Sequence, residues 1–579
     1  MHLPDLVFAP VYLPLLGAAI VFCAKAFGKG KGARLWEYMG VFTGLGLPWV
    51  ILVYTLPFLL SGETIQICVG NWFRGVGIIY RFDGLAWLVN LLGFSVASAA
   101  WVYSLGAGPR GPGFSAVFLI QTSALAATAM TVDMFNLFVC LEVMGIASYV
   151  LVVRSEKPGA FLASFSYLMI SATSMVFFLV GFYGLYRLTG GISYQSIAAG
   201  LRQLPEGGGI AAIVSLSLVV AALAIRVAVM PLYGWLPDAH ALAPHAISAV
   251  LSGVLIKTPL FALSRILLIM PSGASAGRLM GYAGAVTALV AVTIALAQTD
   301  TKRLLAYHSI SQIGYVVSAW GAAIATGISS AVGLALMTAA FLHALYHALF
   351  KGLLFLAVGT TTDVARERDV YKIQGAAAAL YRAGEKIPVT LLCFLTGALA
   401  IMAIPPLNGY ASKAALAHTL KGSWQASMLF AAGIGTIASF IKLSGIYWPV
   451  RRPSRPVTGA LSPVVSRVHP AVHISQVVLA ALCIASGIMA SRISLFVMKL
   501  LGNGTPGVKT LPNQLYSAAN LGNTALLIAA GIALFLAVST KKGKRVMCLI
   551  RTRPRGFQGL FFAFSLGMAA LALWMVLHA

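Results

Sequence analysis

Acidic residues are scarce in this 579-residue chain: 14 Asp and Glu stand against 40 Lys and Arg, and only 9% of residues carry charge at all. With 59% hydrophobic residues and a mean hydropathy of +0.90, so little charge excludes a soluble fold. Cysteine is sparse too. The six, at 23, 68, 140, 393, 483 and 548, form no CxxC pair, which argues against an iron–sulfur cluster or a structural zinc site. There is no phosphate loop and no dinucleotide fingerprint, so any cofactor chemistry is expected to belong to a partner. No Lys or Arg precedes the first apolar run at about 7 to 28, whereas Asp5 does, so that run reads as a retained span and not a secretory signal.

What fills the chain is a series of apolar runs of about 20 residues, each long enough to cross roughly 30 Å of hydrocarbon as helix. They start near residues 7, 36, 83, 114, 133, 158, 209, 243, 279, 303, 328, 385, 424, 472, 521 and 557. The expectation is an all-α polytopic membrane protein with about 16 transmembrane helices. Odd-numbered connections hold 25 of the 40 Lys and Arg and even-numbered ones hold ten, the other five lying inside spans. That bias predicts both termini on the outer side of a prokaryotic inner membrane. It also makes most of the +26 net charge a topology signal and an attraction to anionic lipids, and not a nucleic-acid footprint. The longest connections have only about 20 to 25 residues, so function is expected within the membrane.

An ionisable side chain in a span costs roughly 3 kcal/mol or more unless paired or hydrated, which makes each a functional candidate. Glu142 lies nine residues beyond Asp133, about 13 Å deeper along the fifth span. It is either a packing carboxylate or the partner of a buried cation. The seventh span ends in AIRVAVMPLYGWLPDAHALAPHA, where Pro231 and Pro237 should break the helix just after Arg226 and turn that cation toward a hydrated interior. Lys257 follows in the eighth span. In the eleventh, His343, His347 and Lys351 fall at i, i+4 and i+8 on one face, a stripe about 12 Å long whose imidazoles suit a proton relay; metal ligation by the two histidines is the rival reading. The tenth span adds His308, Ser311, Gln312 and Tyr315. The sixth adds Ser164, Tyr167, Ser171 and Ser174, which suit either helix packing or a water chain.

The twelfth span breaks at IPPLNGYASKAAL, with Pro405 and Pro406 ahead of Lys413. Arg226 to Lys413 is 187 residues and Lys257 to Lys442 is 185, which suggests two copies of a five-span unit, each with one discontinuous helix. Lys442 could equally snorkel to an interface. The expected layout is spans one to three in 1–112, the first repeat in 113–270, the second in 271–450, and three further spans with a basic cytoplasmic loop in 451–579.

The segments DMFNLFVCLEVMGIASYVLV, PLYGWLPDAHALAP, YHSISQIGY, HALFKGLLFLAVG and IPPLNGYASK occur in this order within residues 80 to 450. In them the chain resembles the proton-conducting antiporter-like family: the large membrane subunits of complex I, the D-type subunits of Mrp cation/proton antiporters, and relatives in membrane-bound hydrogenases. The lysine of the eighth span and SISQIGY look most similar to the D-type branch. The resemblance implies a 14-helix core of two inverted five-helix repeats. It also implies a hydrophilic axis moving protons through Glu142, the seventh-span cation, Lys257, the His and Lys of the eleventh span, and Lys413. Partners would be other membrane subunits of an antiporter or respiratory-type complex, with protons, and Na+ if the complex is of the exchanging kind, as the ions, and no cofactor held by this chain. One position departs from the pattern. The seventh-span cation, usually lysine, is Arg226, and a guanidinium keeps its proton in proteins. It is expected to act as a fixed-charge switch beside Glu142, with Lys257, His308, His343, His347, Lys351 and Lys413 as the relay. The alternatives are a non-conducting assembly subunit and an independent solute transporter; the single central acid argues against the latter.

Overall fold

The computed structural model describes residues 6–27, 30–69, 77–449, 467–501, 515–552 and 573. In chain order the helices are α1 (Ala9–Phe27), α2 (Lys31–Val41), which passes through a π turn at Phe42–Gly46 into α3 (Leu47–Leu60), α4 (Gly84–Ser104), α5 (Pro112–Met130), α6 (Met134–Val153), α7 (Ala160–Thr189) and α8 (Tyr194–Gln203). The broken seventh and eighth spans follow as α9 (Gly209–Val227), α10 (Leu236–Leu242), α11 (His245–Val250) and α12 (Thr258–Leu267). Then come α13 (Gly273–Ala297), α14 (Thr301–Thr326), α15 (Ala331–Ala365), α16 (Ala376–Arg382), α17 (Val389–Ile401), α18 (Asn408–Thr419), α19 (Trp424–Ser444), α20 (Pro470–Ile488), α21 (Ala490–Leu501), α22 (Ala518–Ser539) and α23 (Lys541–Thr552). One antiparallel hairpin, β1 (Ile65–Cys68) with β2 (Ile79–Phe82), pairs Ile65 with Phe82 and leads into α4.

Helix starts follow from short polar side chains that accept backbone N–H groups of the first turn. Asp83 caps α4, Asp133 caps α6, Asp300 caps α14, Ser330 caps α15 and Ser423 caps α19. Twelve of the described helical stretches are long and apolar enough to cross a membrane, and Ala9–Cys23 and Val389–Ile401 are shorter apolar helices. The sixteenth predicted span, from about 557, lies outside the described residues. The basic connection before it is largely helical, as α23, because its cations alternate with Val546, Leu549 and Ile550 at helical spacing.

Polar backbone and charged side chains have to be shielded from lipid, and this decides what sits at the centre. The stretch His245–Leu267 is entirely buried, and α15 nearly so, whereas α22 is mostly exposed at the periphery. Helices α13 and α14 approach closely along Gly281, Gly284, Gly314 and Gly321; a Cβ on Gly284 would meet the Gly314 carbonyl oxygen at 2.9 Å. Both expected breaks are present. A residue in the left-handed region follows each helix, Ala228 (φ 60°) directly after α9 and Ala403 (φ 61°) two residues after α17, and two residues on from each is a cis X–Pro bond, Met230–Pro231 and Pro405–Pro406. These matched features are 175 positions apart, from Ala228 to Ala403, so the 185 and 187 residue separations of the cations do not measure the offset of the breaks.

Candidate functional site

Pro231 keeps α9 from continuing and Pro237 sits in the first turn of α10, and the carbonyls and N–H groups freed between them find specific partners. Trp235 Nε1 donates to the Ile225 carbonyl at 2.8 Å, and the Met230 N–H donates to Thr287 Oγ1 at 3.0 Å. The last turn of α9 thus holds Arg226 in place, 1% exposed, with Nη2 donating to Glu142 Oε1 at 2.8 Å. Its Nε and Nη1 have no hydrogen-bond partner. Gly145, one turn beyond Glu142, makes the room: a Cβ there would sit 3.0 Å from Arg226 Nη1 and 2.7 Å from Tyr149 Oη. Of the sixth-span stripe, Ser164 donates to the Tyr149 carbonyl, while Tyr167 lies between Tyr149 and Trp235 with its hydroxyl unpartnered, as is Ser171 Oγ.

The eighth span is interrupted by a π segment, Leu251–Leu255. There the N–H of Ile256 turns to Leu251 and that of Lys257 to Val254, which frees the carbonyls of Ser252 and Gly253. Lys257 Nζ donates to both, at 2.9 and 2.5 Å. A long cationic side chain folded back onto its own broken helix replaces the missing backbone donors, so the irregular turn and the lysine require each other. Ser252 Oγ in turn lies 2.7 Å from Ser309 Oγ of α14.

Helix α14 is the spine of the remaining contacts. Lys351 Nζ of α15 donates to its Leu305 carbonyl at 2.6 Å, His308 Nε2 meets Ser439 Oγ of α19 at 2.8 Å, and Ser311 donates to the Ala288 carbonyl. His343 Nδ1 meets Ser412 Oγ at 2.9 Å, its ring centroid 6.3 Å from that of His347 and 5.5 Å from that of Tyr315. Lys413 Nζ lies 4.9 Å from the Tyr315 ring centroid and donates to the Ile401 carbonyl at 2.8 Å, across the break between α17 and α18. That end opens into a cavity of about 400 Å³ bounded by Tyr315, Lys413, Phe430 and, from α22, Asn520, Asn523 and Thr524. Lys257, His308, His343, His347 and Lys351 are all fully buried. Among the described residues, six of the 23 buried side-chain polar atoms without a partner belong to this row: His308 Nδ1, His343 Nε2, both ring nitrogens of His347 and both amide atoms of Gln312. Buried polar atoms are ordinarily satisfied, so the exceptions that gather on His308, Gln312, His343 and His347 are a feature of this row that packing does not explain.

The family described as NADH:quinone oxidoreductase/Mrp antiporter, TM matches residues 131–442, which span all of these groups except the α22 side of the cavity. This chain belongs to that family. It is 31% identical over 476 residues to NADH-quinone oxidoreductase subunit N of Desulforudis audaxviator, covering 79% of this chain and 89% of that one. To the D-type Na(+)/H(+) antiporter protein of Alkalihalophilus pseudofirmus it is 27% identical over 449 residues, 76% of this chain and 86% of the other. Its fold matches a chain of the Mrp complex from Dietzia sp., with a TM-score of 0.74 at 23% identity over 91% of this chain and all of that one. The NADH:quinone oxidoreductase and Mrp relatives thus lie within a few per cent of each other in identity.

Within this antiporter-like fold, the residues named from sequence do not all act as one group. Glu142 and Arg226 form one pair, Lys257 holds its own helix, and Lys351 through Lys413 form the longer row. Lys442 is apart from it, donating to the carbonyls of Leu296 and Gln298 at the end of α13, 2.7 Å each. Among the described residues no cluster of three His, Cys, Asp or Glu is placed to hold a metal. Sequence reasoning misses the serines 252, 309, 412 and 439, together with Tyr149, His240, His245, Lys302 and Asp363. The two histidines stand inside PLYGWLPDAHALAPHA, where the prolines dominate the reading as helix breaks. The serines carry no signal, because a serine in an apolar helix usually bonds its own carbonyl four residues back.

Proposed function

We propose that this chain is the proton-translocating membrane subunit of a larger complex in a prokaryotic inner membrane, with both termini outside. The observation that supports it most is the row of buried, partly unpartnered cations and imidazoles from Lys257 and Lys351 to Lys413, ending at an open cavity. The His308–Ser439, His343–Ser412 and Ser252–Ser309 contacts join groups that can accept a proton on one side while releasing one from another, the requirement of a relay, and the lysines between them rest on backbone carbonyls. Arg226 keeps its charge throughout and works electrostatically. When it pairs with Glu142 its field is neutralised, and when it swings away the field falls on Lys257 and drives its proton onward. The driving reaction belongs to a partner module, a redox module or one exchanging Na+, and the anionic lipid surface attracts the basic connections.

A second reading, a subunit that assembles without conducting, is favoured by one observation: the Arg226–Glu142 pair is closed at 2.8 Å, so the Arg226 charge is neutralised. The intact complex in proteoliposomes separates the two. On starting the driving reaction, proton uptake should be lost in Lys257→Ala and in Lys413→Ala while the complex stays assembled. Uptake unchanged in both variants would make the chain scaffold.

A further inference from the structure

A second cavity, of about 370 Å³, lies at the opposite end of α15 and is bounded by Arg110, Arg154, Glu156, Lys157, His245 and Asp363. Below it α15 continues the stripe begun by His343. Lys351, Phe355, Gly359 and Asp363 follow at steps of four, each step turning about 40° around the helix. The broken seventh and eighth spans lay two imidazoles on this face. The His240 ring stacks on Phe355 with centroids 5.2 Å apart, and Lys351 Nζ lies 5.1 Å from the centroid of the same Phe355 ring. The His245 ring rests on Gly359, where any Cβ would collide with it, and its Nε2 is 3.0 Å from Asp363 Oδ1.

Three features distinguish this from packing. His240 is fully buried with neither ring nitrogen bonded, and His245, 6% exposed, has Nδ1 unpartnered. The Asp363 side chain is 46% accessible and so meets the cavity. The chain between the two histidines is pinned from α14: Pro244 forces Ala243 into an extended conformation, and Lys302 Nζ donates to the carbonyl this exposes, at 2.5 Å. Arg110, Arg154 and Lys157 line the cavity together with the acids Glu156 and Asp363, so the mouth is polar throughout and Asp363 is the acid in it that touches an imidazole.

We propose that Asp363, His245 and His240 form a proton port joining this cavity to Lys351. This rests on the proton-translocating reading above and extends the route beyond the central row. The Asp363 carboxylate takes a proton from cavity water and passes it to His245 Nε2; the imidazole releases one from Nδ1, through water, to His240. His240 gives one up in the same way to the Lys351 amine; each ring is neutral again once it has released its proton, and a turn of the ring restores the acceptor nitrogen toward the preceding group before the next proton follows. Phe355 orients the last step, since both His240 and the charged form of Lys351 lie against its ring. Gly359 is a positioning residue, present so that His245 can reach the helix.

The test is proton uptake by the intact complex in proteoliposomes, with Lys351→Ala as the reference. Asp363→Asn and His240→Gln should each slow uptake by about tenfold or more with the complex assembled, and Gly359→Ala should do so with the Asp363 carboxylate intact. Added formate should restore uptake in Asp363→Ala, by supplying a carboxylate at the cavity, and should not restore it in Lys351→Ala. If Lys351→Ala abolishes uptake while Asp363→Asn and His240→Gln stay within about twofold of the parent, the port is refuted and the route to Lys351 runs elsewhere. If Lys351→Ala itself has no effect, the proton-translocating reading falls and the port with it.

Discussion

Replacing Glu142 by Gln keeps an acceptor near Arg226 and removes the carboxylate charge, which makes it the sharpest probe of the switch. Two unit charges 2.8 Å apart are worth about 6 kcal/mol at an effective dielectric near 20. The Glu142 side chain is 28% accessible, so solvent screens part of this. Loss of one partner from a buried pair costs about 3 to 5 kcal/mol, and the exposure places this case at the lower end, about 3 kcal/mol. Expressed in a rate, that is about a hundredfold. Proton uptake by the intact complex is therefore expected to slow about a hundredfold in Glu142→Gln and by a similar factor in Arg226→Gln. Because both act through one contact, the double variant should be no slower than either alone, whereas independent sites would multiply to about ten-thousandfold. Arg226→Lys, which keeps a cation opposite Glu142, should retain uptake within about tenfold. Multiplicative losses, or single variants within about twofold of the parent, would refute the pair as a switch.

Two further expectations concern stability. Burial works against the charge of Asp83, yet Arg265, donating to its two oxygens at 2.7 and 2.6 Å, with Arg81 beside it, holds the carboxyl below its ordinary 3.8. Asp83→Asn should destabilise the complex by about 3 to 5 kcal/mol. A carboxyl lowered on folding contributes in full above its ordinary value and loses that contribution as pH falls below it. In thermal melting the gap between parent and variant should thus hold from about pH 8 to pH 5 and close only below about 3.8; closure near pH 6 would contradict the assignment. Lys442→Met tests the structural role of that lysine: two carbonyls lose their donor, at about 1 to 3 kcal/mol each, so melting should fall while proton uptake per turnover is unchanged. A loss of uptake at unchanged stability would return Lys442 to the route.

The sequence by itself determined that the chain is a helical membrane protein and where two of its helices break. Apolar run length, the bias of Lys and Arg between connections, and proline are local properties, and lipid gives them little latitude. The chemistry-bearing side chains were legible for the same reason: His343, His347 and Lys351 are conspicuous where almost nothing else is polar. What only the tertiary structure decided is which of them meet. The Arg226–Glu142 contact joins residues 84 positions apart, and His245 meets Asp363 across 118. Lys442 and Lys257 look alike in sequence, yet one satisfies the end of a neighbouring helix and the other fills a π turn in its own. A buried cation goes to whichever carbonyls have lost their donors. Where those lie depends on how the broken helices pack, and not on the residues beside the cation.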